Sequence, residues 1–230
     1  SGQINNNIVT DGLVFYVDAA YKKSYPRSGT TWTTLKGSNN VTLLNGPTFS
    51  SDNLGSIVFD GDDDNAQIEG NPGVTQNIFN ATANSVCAWV YNTDLSQDGT
   101  VVGLWSTQYL LYMDTGGAGD GYRVLYKTGV GTTDTSESNV NAIQNQWQYV
   151  VSTFSGTAVS LYVDGALIET VTFSSTTMTT STNNIAIGAD QPNGQRDWPG
   201  RISNVSFYDK ALTAQEVLQN YQAQKGRFGF

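Results

Sequence analysis

Histidine is absent from all 230 residues of the chain. Its absence removes Ser-His-Asp and Cys-His catalysis, the usual zinc ligand sets and the commonest general base near neutral pH. Cys87 is the single cysteine, so no disulfide can close within the chain, and its apolar strand neighbours mark it as an inert core thiol. Glutamate is scarce too: Glu69, Glu137, Glu169 and Glu216 are its four occurrences, and no two are near neighbours. A retaining glycosidase needs two carboxyl groups about 5 to 5.5 Å apart, usually projected from one strand, and these spacings do not supply them. The residues present therefore point away from an enzyme. No apolar run approaches the roughly 18 residues of a membrane-spanning helix, so membrane insertion is not expected. Cations are few: 11 Lys and Arg stand against 20 Asp and Glu, for a net charge of −9 and a pI near 4.2. A phosphate backbone needs a basic stripe, so nucleic acid is not an expected partner.

What the chain does contain is alternation. Hydrophobic residues make up 38% and aromatic residues 11%, enough for one large β domain with a substantial core, while Gly, Ser, Thr and Asn fill the spaces between apolar runs. Strands are expected at residues 12–19, 41–44, 56–60, 66–68, 85–92, 100–105, 110–113, 122–127, 147–154, 158–163, 166–173, 185–188 and 201–208. Residues 21–40 lose all periodicity and read as a long irregular excursion. In residues 85–92, Val86, Ala88 and Val90 alternate with Cys87, Trp89 and Tyr91, so both faces of that strand should be covered. Asp164-Gly165 separates two alternating segments, and both residue types tolerate the positive φ angles of a type I′ turn, so a hairpin is expected there. One helix is expected over 213–225: Thr213-Ala214-Gln215-Glu216 is a capping box, and Val217, Leu218 and Tyr221 share a face that must dock on the sheets. The polar lead-in at 1–11 is expected to be flexible. The whole of 1–230 reads as a single all-β domain, a two-sheet antiparallel sandwich with a short C-terminal helix.

Five phrases in sequence order carry a family resemblance: residues 12–19, Val58-Phe59-Asp60-Gly61, Ala88-Trp89-Val90, the hairpin at 161–165, and residues 200–212 leading into the helix. The chain resembles the laminin-G-like branch of the concanavalin A-like lectin/glucanase superfamily. That resemblance implies a jelly-roll sandwich, often with bound calcium, and in many relatives a carbohydrate or protein ligand. Ser24-Tyr25-Pro26, Ser28-Gly29-Thr30-Thr31-Trp32, Asn45-Gly46-Pro47-Thr48-Phe49-Ser50 and Lys225-Gly226-Arg227-Phe228 resemble laminin-G-like domains of tailed-phage virion proteins. The narrower resemblance implies a non-catalytic adhesion or decoration domain on a virion surface, at a tail fibre or on the capsid. Its partners would be a glycan or other virion proteins, with homo-oligomerisation left open. The alternative is a carbohydrate-binding module of a secreted bacterial hydrolase, and a weaker one is an endoglucanase using an unrecognised carboxylate pair.

Two regions combine an aromatic ring, which can receive the C–H face of a pyranose, with nearby hydrogen-bonding side chains. One contains Trp105, Tyr109 and Tyr122; the other is the loop at 190–198, with Asn193, Asp197 and Trp198. On this reading Trp198→Ala weakens glycan binding and leaves the fold intact. Trp89 and Trp147 are expected to be packing residues instead. For Ca2+, Asp60, Asp62, Asp63 and Asp64 offer several hard oxygen ligands on a turn, because consecutive carboxylates on a strand would point to opposite faces.

Overall fold

The computed structural model describes residues 7–68, 79, 82–104, 109–115, 121–128, 131–134, 142–172, 183–190 and 195–230. Within them the strands form two antiparallel sheets. In spatial order the first contains β14 (Ala166–Thr172), β13 (Ala158–Val163), β12 (Trp147–Phe154), β7 (Asn84–Asn92), β16 (Pro199–Tyr208), β5 (Ser56–Asp60) and β4 (Thr48–Ser50). Strand β1 (Leu13–Asp18) also pairs with β16, along its C-terminal half, from Tyr208 back to Asn204. The second sheet contains β11 (Gly131–Asp134), β10 (Gly121–Thr128), β9 (Tyr109–Asp114), β8 (Gly99–Leu104), β15 (Ala186–Ile187), β6 (Asn65–Ile68), β3 (Val41–Leu44) and β2 (Thr31–Trp32). This is the expected jelly-roll sandwich, with short strands β2, β4 and β11 added where the sequence showed no clear period.

The alternation in β7 sorts its side chains as a two-residue period requires. Val86, Ala88 and Val90 enter the core between the sheets, whereas Cys87 and Trp89 join a second cluster on the outer face of the first sheet. A bulge between Leu13 and Phe15 makes β1 change sides: Phe15 and Val17 face the inner core, and Leu13 joins the outer cluster. Helix α1 (Ala214–Gln224) covers that outer face. Its Thr213 side chain accepts from the Glu216 N–H and Glu216 reaches back to the Thr213 N–H, which completes the capping box. The chain then enters a short 3-10 turn, Lys225–Phe228, whose Phe228 ring stacks 4.0 Å from Trp89. Trp89 and Trp147 are thus packing residues, although they belong to this outer layer and not to the inner core.

The hairpin turn forms as expected. Asp164 and Gly165 take φ of 51° and 82°, joining β13 to β14 through two residues. Of the lead-in, residues 1–6 lie outside the described residues, but Val9 is buried and its N–H donates to Asn220 Oδ1 at 2.7 Å. Residues from 7 onward are therefore tied to the helix, in place of the flexible segment expected from their polarity.

Candidate functional site

Three tyrosines show how the sandwich is held shut. Along β9 and β10 the inward positions are Tyr109, Leu111, Met113 and Tyr122, Val124, Tyr126, all fully buried or nearly so. Each tyrosine carries its hydroxyl across to the opposite sheet: Tyr109 pairs with Ser152 at 2.6 Å, Tyr122 donates to Gln148 Oε1 at 3.1 Å, and Tyr126 donates to Asn84 Oδ1 at 2.9 Å. Burial pushes all three hydroxyl pKa values up from the ordinary phenol value. Tyr109 and Tyr122 are therefore inter-sheet struts and present no ring to a ligand, which corrects the sequence expectation.

Trp198 requires the same correction. Its indole is 0% exposed and sits in the inner core, and its backbone N–H donates to Gly188 O at 2.8 Å. The physical reason is its place directly before β16, a strand paired on both sides by β5 and β7, from which the indole packs between the sheets against Gly99 of β8. Trp198→Ala would open a cavity and cost about 3 to 5 kcal/mol of stability. Trp105 and Asn193, like Glu69 and Glu137, lie outside the described residues.

The loop that holds Trp198 nevertheless borders a concavity. Gln195, Arg196 and Asp197 line a cleft of about 540 Å³ together with Gly61, Asp62, Gln97, Asp98 and Thr115. Four separate segments converge here, and hydrogen bonds tie them to one another. Gln97 Nε2 donates to Gly61 O at 2.9 Å, the Thr115 N–H and hydroxyl both donate to Asp98 Oδ1 at 2.9 and 2.8 Å, and the Thr100 N–H donates to Arg196 O at 2.8 Å. Gly61 has φ 79°, and a Cβ there would lie 2.9 Å from Pro199 Cβ and 3.1 Å from Pro199 Cα, so this turn needs a glycine. Arg196 is the one cation in the described lining, 3.6 Å from Asp98 Oδ2 and 3.7 Å from Asp190 Oδ2. Asp190 is itself buried and accepts the Gln195 N–H at 2.9 Å. Gln97, Asp98 and Thr115 had no signal beyond lying in polar stretches between apolar strands.

Beside the cleft lies the acidic turn between β5 and β6. Asp60, Asp63 and Asp64 bring ligand oxygens within 4.8 Å of one another, whereas Asp62 is not part of that group and lines the cleft. The turn closes on itself: Asp60 Oδ1 accepts the N–H groups of Asp62, Asp63 and Asp64, and Asp64 Oδ2 accepts the Asp60 N–H at 3.1 Å. These amide bonds hold the Asp60 carboxyl below its ordinary value. Burial first, and then the charges of Asp60 and Asp63, push Asp64 up to about 6. Asp197 is pushed up to about 7, by burial first and then by Asp190, with Asp60 and Asp63 adding smaller amounts. Hard oxygens crowded in this way suit calcium chemically. Asn65 adds a buried Oδ1 with no hydrogen-bond partner among the described residues, its Nδ2 being bonded to Asp63 O at 3.0 Å. Asp18, a deeply buried acid of the first sheet, is bound to Arg227.

The family model described as the concanavalin A-like lectin/glucanases superfamily matches residues 60–218. No curated protein matches the sequence. Among solved structures, the receptor-binding domain of botulinum neurotoxin C/D mosaic serotype superposes with a TM-score of 0.72 at 13% identity, over 94% of this chain and 52% of that one. Trypanosoma rangeli sialidase in complex with the inhibitor DANA gives 0.68 at 19%, over 96% of this chain and 34% of that one. Domain 4 of AbnA, an extracellular arabinanase from Geobacillus stearothermophilus, in complex with arabinotriose, gives 0.67 at 14%, over 92% of this chain and 100% of that one. The chain thus spans about half of the toxin structure and a third of the sialidase, but all of the arabinanase domain. At these identities the likeness concerns the fold.

Proposed function

Because the chain belongs to the concanavalin A-like lectin/glucanases superfamily, we propose that it is a non-catalytic, lectin-like domain that binds a neutral glycan in the cleft of Gly61, Gln97, Asp98, Thr115, Arg196 and Asp197. The lining carries the reading: amide, hydroxyl, carboxylate and guanidinium groups from four cross-tied segments offer preorganised partners for sugar hydroxyls. Its excess of carboxylates over cations disfavours an acidic sugar there. Calcium held by Asp60, Asp63 and Asp64 would offset the repulsion among them and stiffen the turn that positions Gly61 and Asp62.

The site of action in this proposal is a tailed-phage virion surface, supported by the resemblance of residues 24–32, 45–50 and 225–228. A second reading, an accessory carbohydrate-binding module of a secreted hydrolase, is favoured by one observation: the arabinanase domain bound to arabinotriose is matched over its whole length. A glycan array followed by calorimetry tests the common part. Binding of a neutral oligosaccharide that weakens about tenfold in Arg196→Ala, with no reducing sugar released, is the expected result. Hydrolysis would reinstate the enzyme alternative, and equal affinity in the variant would move the ligand elsewhere. Immunogold labelling of virions separates the two settings.

A further inference from the structure

The cations of this acidic molecule are unevenly placed. Residues 19–51 carry Lys22, Lys23, Arg27 and Lys36 and no carboxylate at all, so all 20 Asp and Glu lie outside this stretch. Of the seven cations elsewhere, Arg123, Arg196, Arg201, Lys210 and Arg227 are each committed to an ion pair, and Lys225 lies 5.7 Å from the Tyr221 ring centroid. Lys22, Lys23, Arg27 and Lys36 are exposed and make no ion pair among the described residues. An excursion without periodicity is where solvated polar groups are expected; here it gathers one sign of charge.

That charge borders a groove. Tyr16, Tyr21, Lys22, Lys23 and Leu35 line a concavity of about 410 Å³ on the first sheet's outer side, sharing no residue with the polar cleft. Its walls are unusually apolar for an exposed place: Tyr21 is 58% exposed and Leu35 39%. The groove is also rigidly framed. Tyr16 bonds residues 35 and 36 as an isolated bridge, through Leu35 N–H to Tyr16 O at 2.8 Å and Tyr16 N–H to Lys36 O at 3.1 Å. Buried Ser24 pins the turn that presents Tyr21 to Lys23: its hydroxyl donates to Thr33 O at 2.7 Å, and its carbonyl accepts the Thr33 N–H at 2.7 Å. Asp18 accepts the hydroxyl of the lining Tyr16, and both its oxygens are bound by Arg227, so its charge is offset.

We propose that this groove is a second binding site, for a carboxylated polysaccharide. The C–H face of a uronate ring lies on Tyr21 and Leu35, and the carboxylates of that ring and of its neighbour along the polymer meet Lys22 and Lys23, with Lys36 adjoining through the Tyr16 bridge. Compact ammonium charges beside an exposed ring and an aliphatic side chain suit a carboxylated pyranose. A nucleic acid would need a longer basic track than four side chains on a molecule of net charge −9.

Affinity electrophoresis of the whole chain through gels containing polygalacturonate, dextran, dextran sulfate or single-stranded DNA tests the assignment. At low ionic strength the wild type should be retarded by polygalacturonate and released by added salt. Lys22→Gln with Lys23→Gln should weaken this about tenfold or more, and Tyr21→Ala several-fold, at unchanged melting temperature. Arg196→Ala should behave like the wild type, so failure of the cleft and failure of the groove remain distinguishable. Absence of retardation, retardation of both groove variants equal to the wild type's, or tighter binding to dextran, dextran sulfate or DNA than to polygalacturonate overturns the proposal.

Discussion

Among the described residues, two places bury carboxylates, and they treat them in opposite ways. Asp18 is met by the Arg227 guanidinium at 2.8 and 2.9 Å, by the Ala20 N–H and by the Tyr16 hydroxyl. The remaining donors of Arg227 go to Asn53 O, Gly55 O and the Ser203 hydroxyl, so every charge and donor there has a partner. Asp64 and Asp197 are buried to a similar degree, yet no ion pair reaches them among the described residues, and their charged neighbours are other carboxylates. The first arrangement is a clamp that fixes the C-terminus to the first sheet. The second holds repulsion that protons or a cation can relieve, and it lies beside the cleft. Buried charge alone therefore does not mark a site; buried charge without its counter-charge does.

Breaking the clamp should have the largest effect. Arg227→Ala leaves Asp18 buried without its counter-charge and is expected to cost about 3 to 5 kcal/mol by urea unfolding, much of it recovered by adding Asp18→Asn. If the single variant unfolds like the wild type, the two regions do not differ as described. Next, calcium at about 100 times its dissociation constant should stabilise the chelator-treated protein by about 2.7 kcal/mol, and Asp63→Asn should abolish most of this gain. Equal melting temperatures with calcium and with chelator would remove the cation from the acidic turn.

The smallest effect concerns pH. The Asp197 carboxyl in the fold titrates near 7, above the unfolded value of about 3.9, so the fold holds a proton that the unfolded chain releases. Its contribution to stability is complete below about pH 4 and is lost as the pH rises through about 7. In chelator, Asp197→Asn should flatten that decline, matching the wild type at pH 4 and exceeding it at pH 8, with Asp64 supplying a smaller remaining slope. A pH profile unchanged by the substitution would place the repulsion elsewhere.

The strands were legible because their causes are local. Alternation in β7, Asp164-Gly165 in the hairpin and Thr213 with Glu216 at the helix start act within a few residues, and each formed as read. The aromatic site residues were misread for a physical reason. Tyr109, Tyr122 and Trp198 sit in polar surroundings along the chain, but the partners that bury them, Ser152, Gln148 and the facing sheet, are distant in sequence. Within the loop at 190–198, Gln195, Arg196 and Asp197 line the cleft, whereas Trp198, the residue the sequence singled out, is buried in the core.

By itself, then, the amino-acid order determined the two-sheet sandwich, its hairpin and its capped helix, since periodicity and turn chemistry are properties of neighbours. The tertiary structure alone decided which rings became struts, which carboxylates met a guanidinium, and which faced one another across a turn. Burial and charge pairing depend on what packs from the opposite sheet and from the far end of the chain, as Arg227 does against Asp18, and no local pattern encodes that.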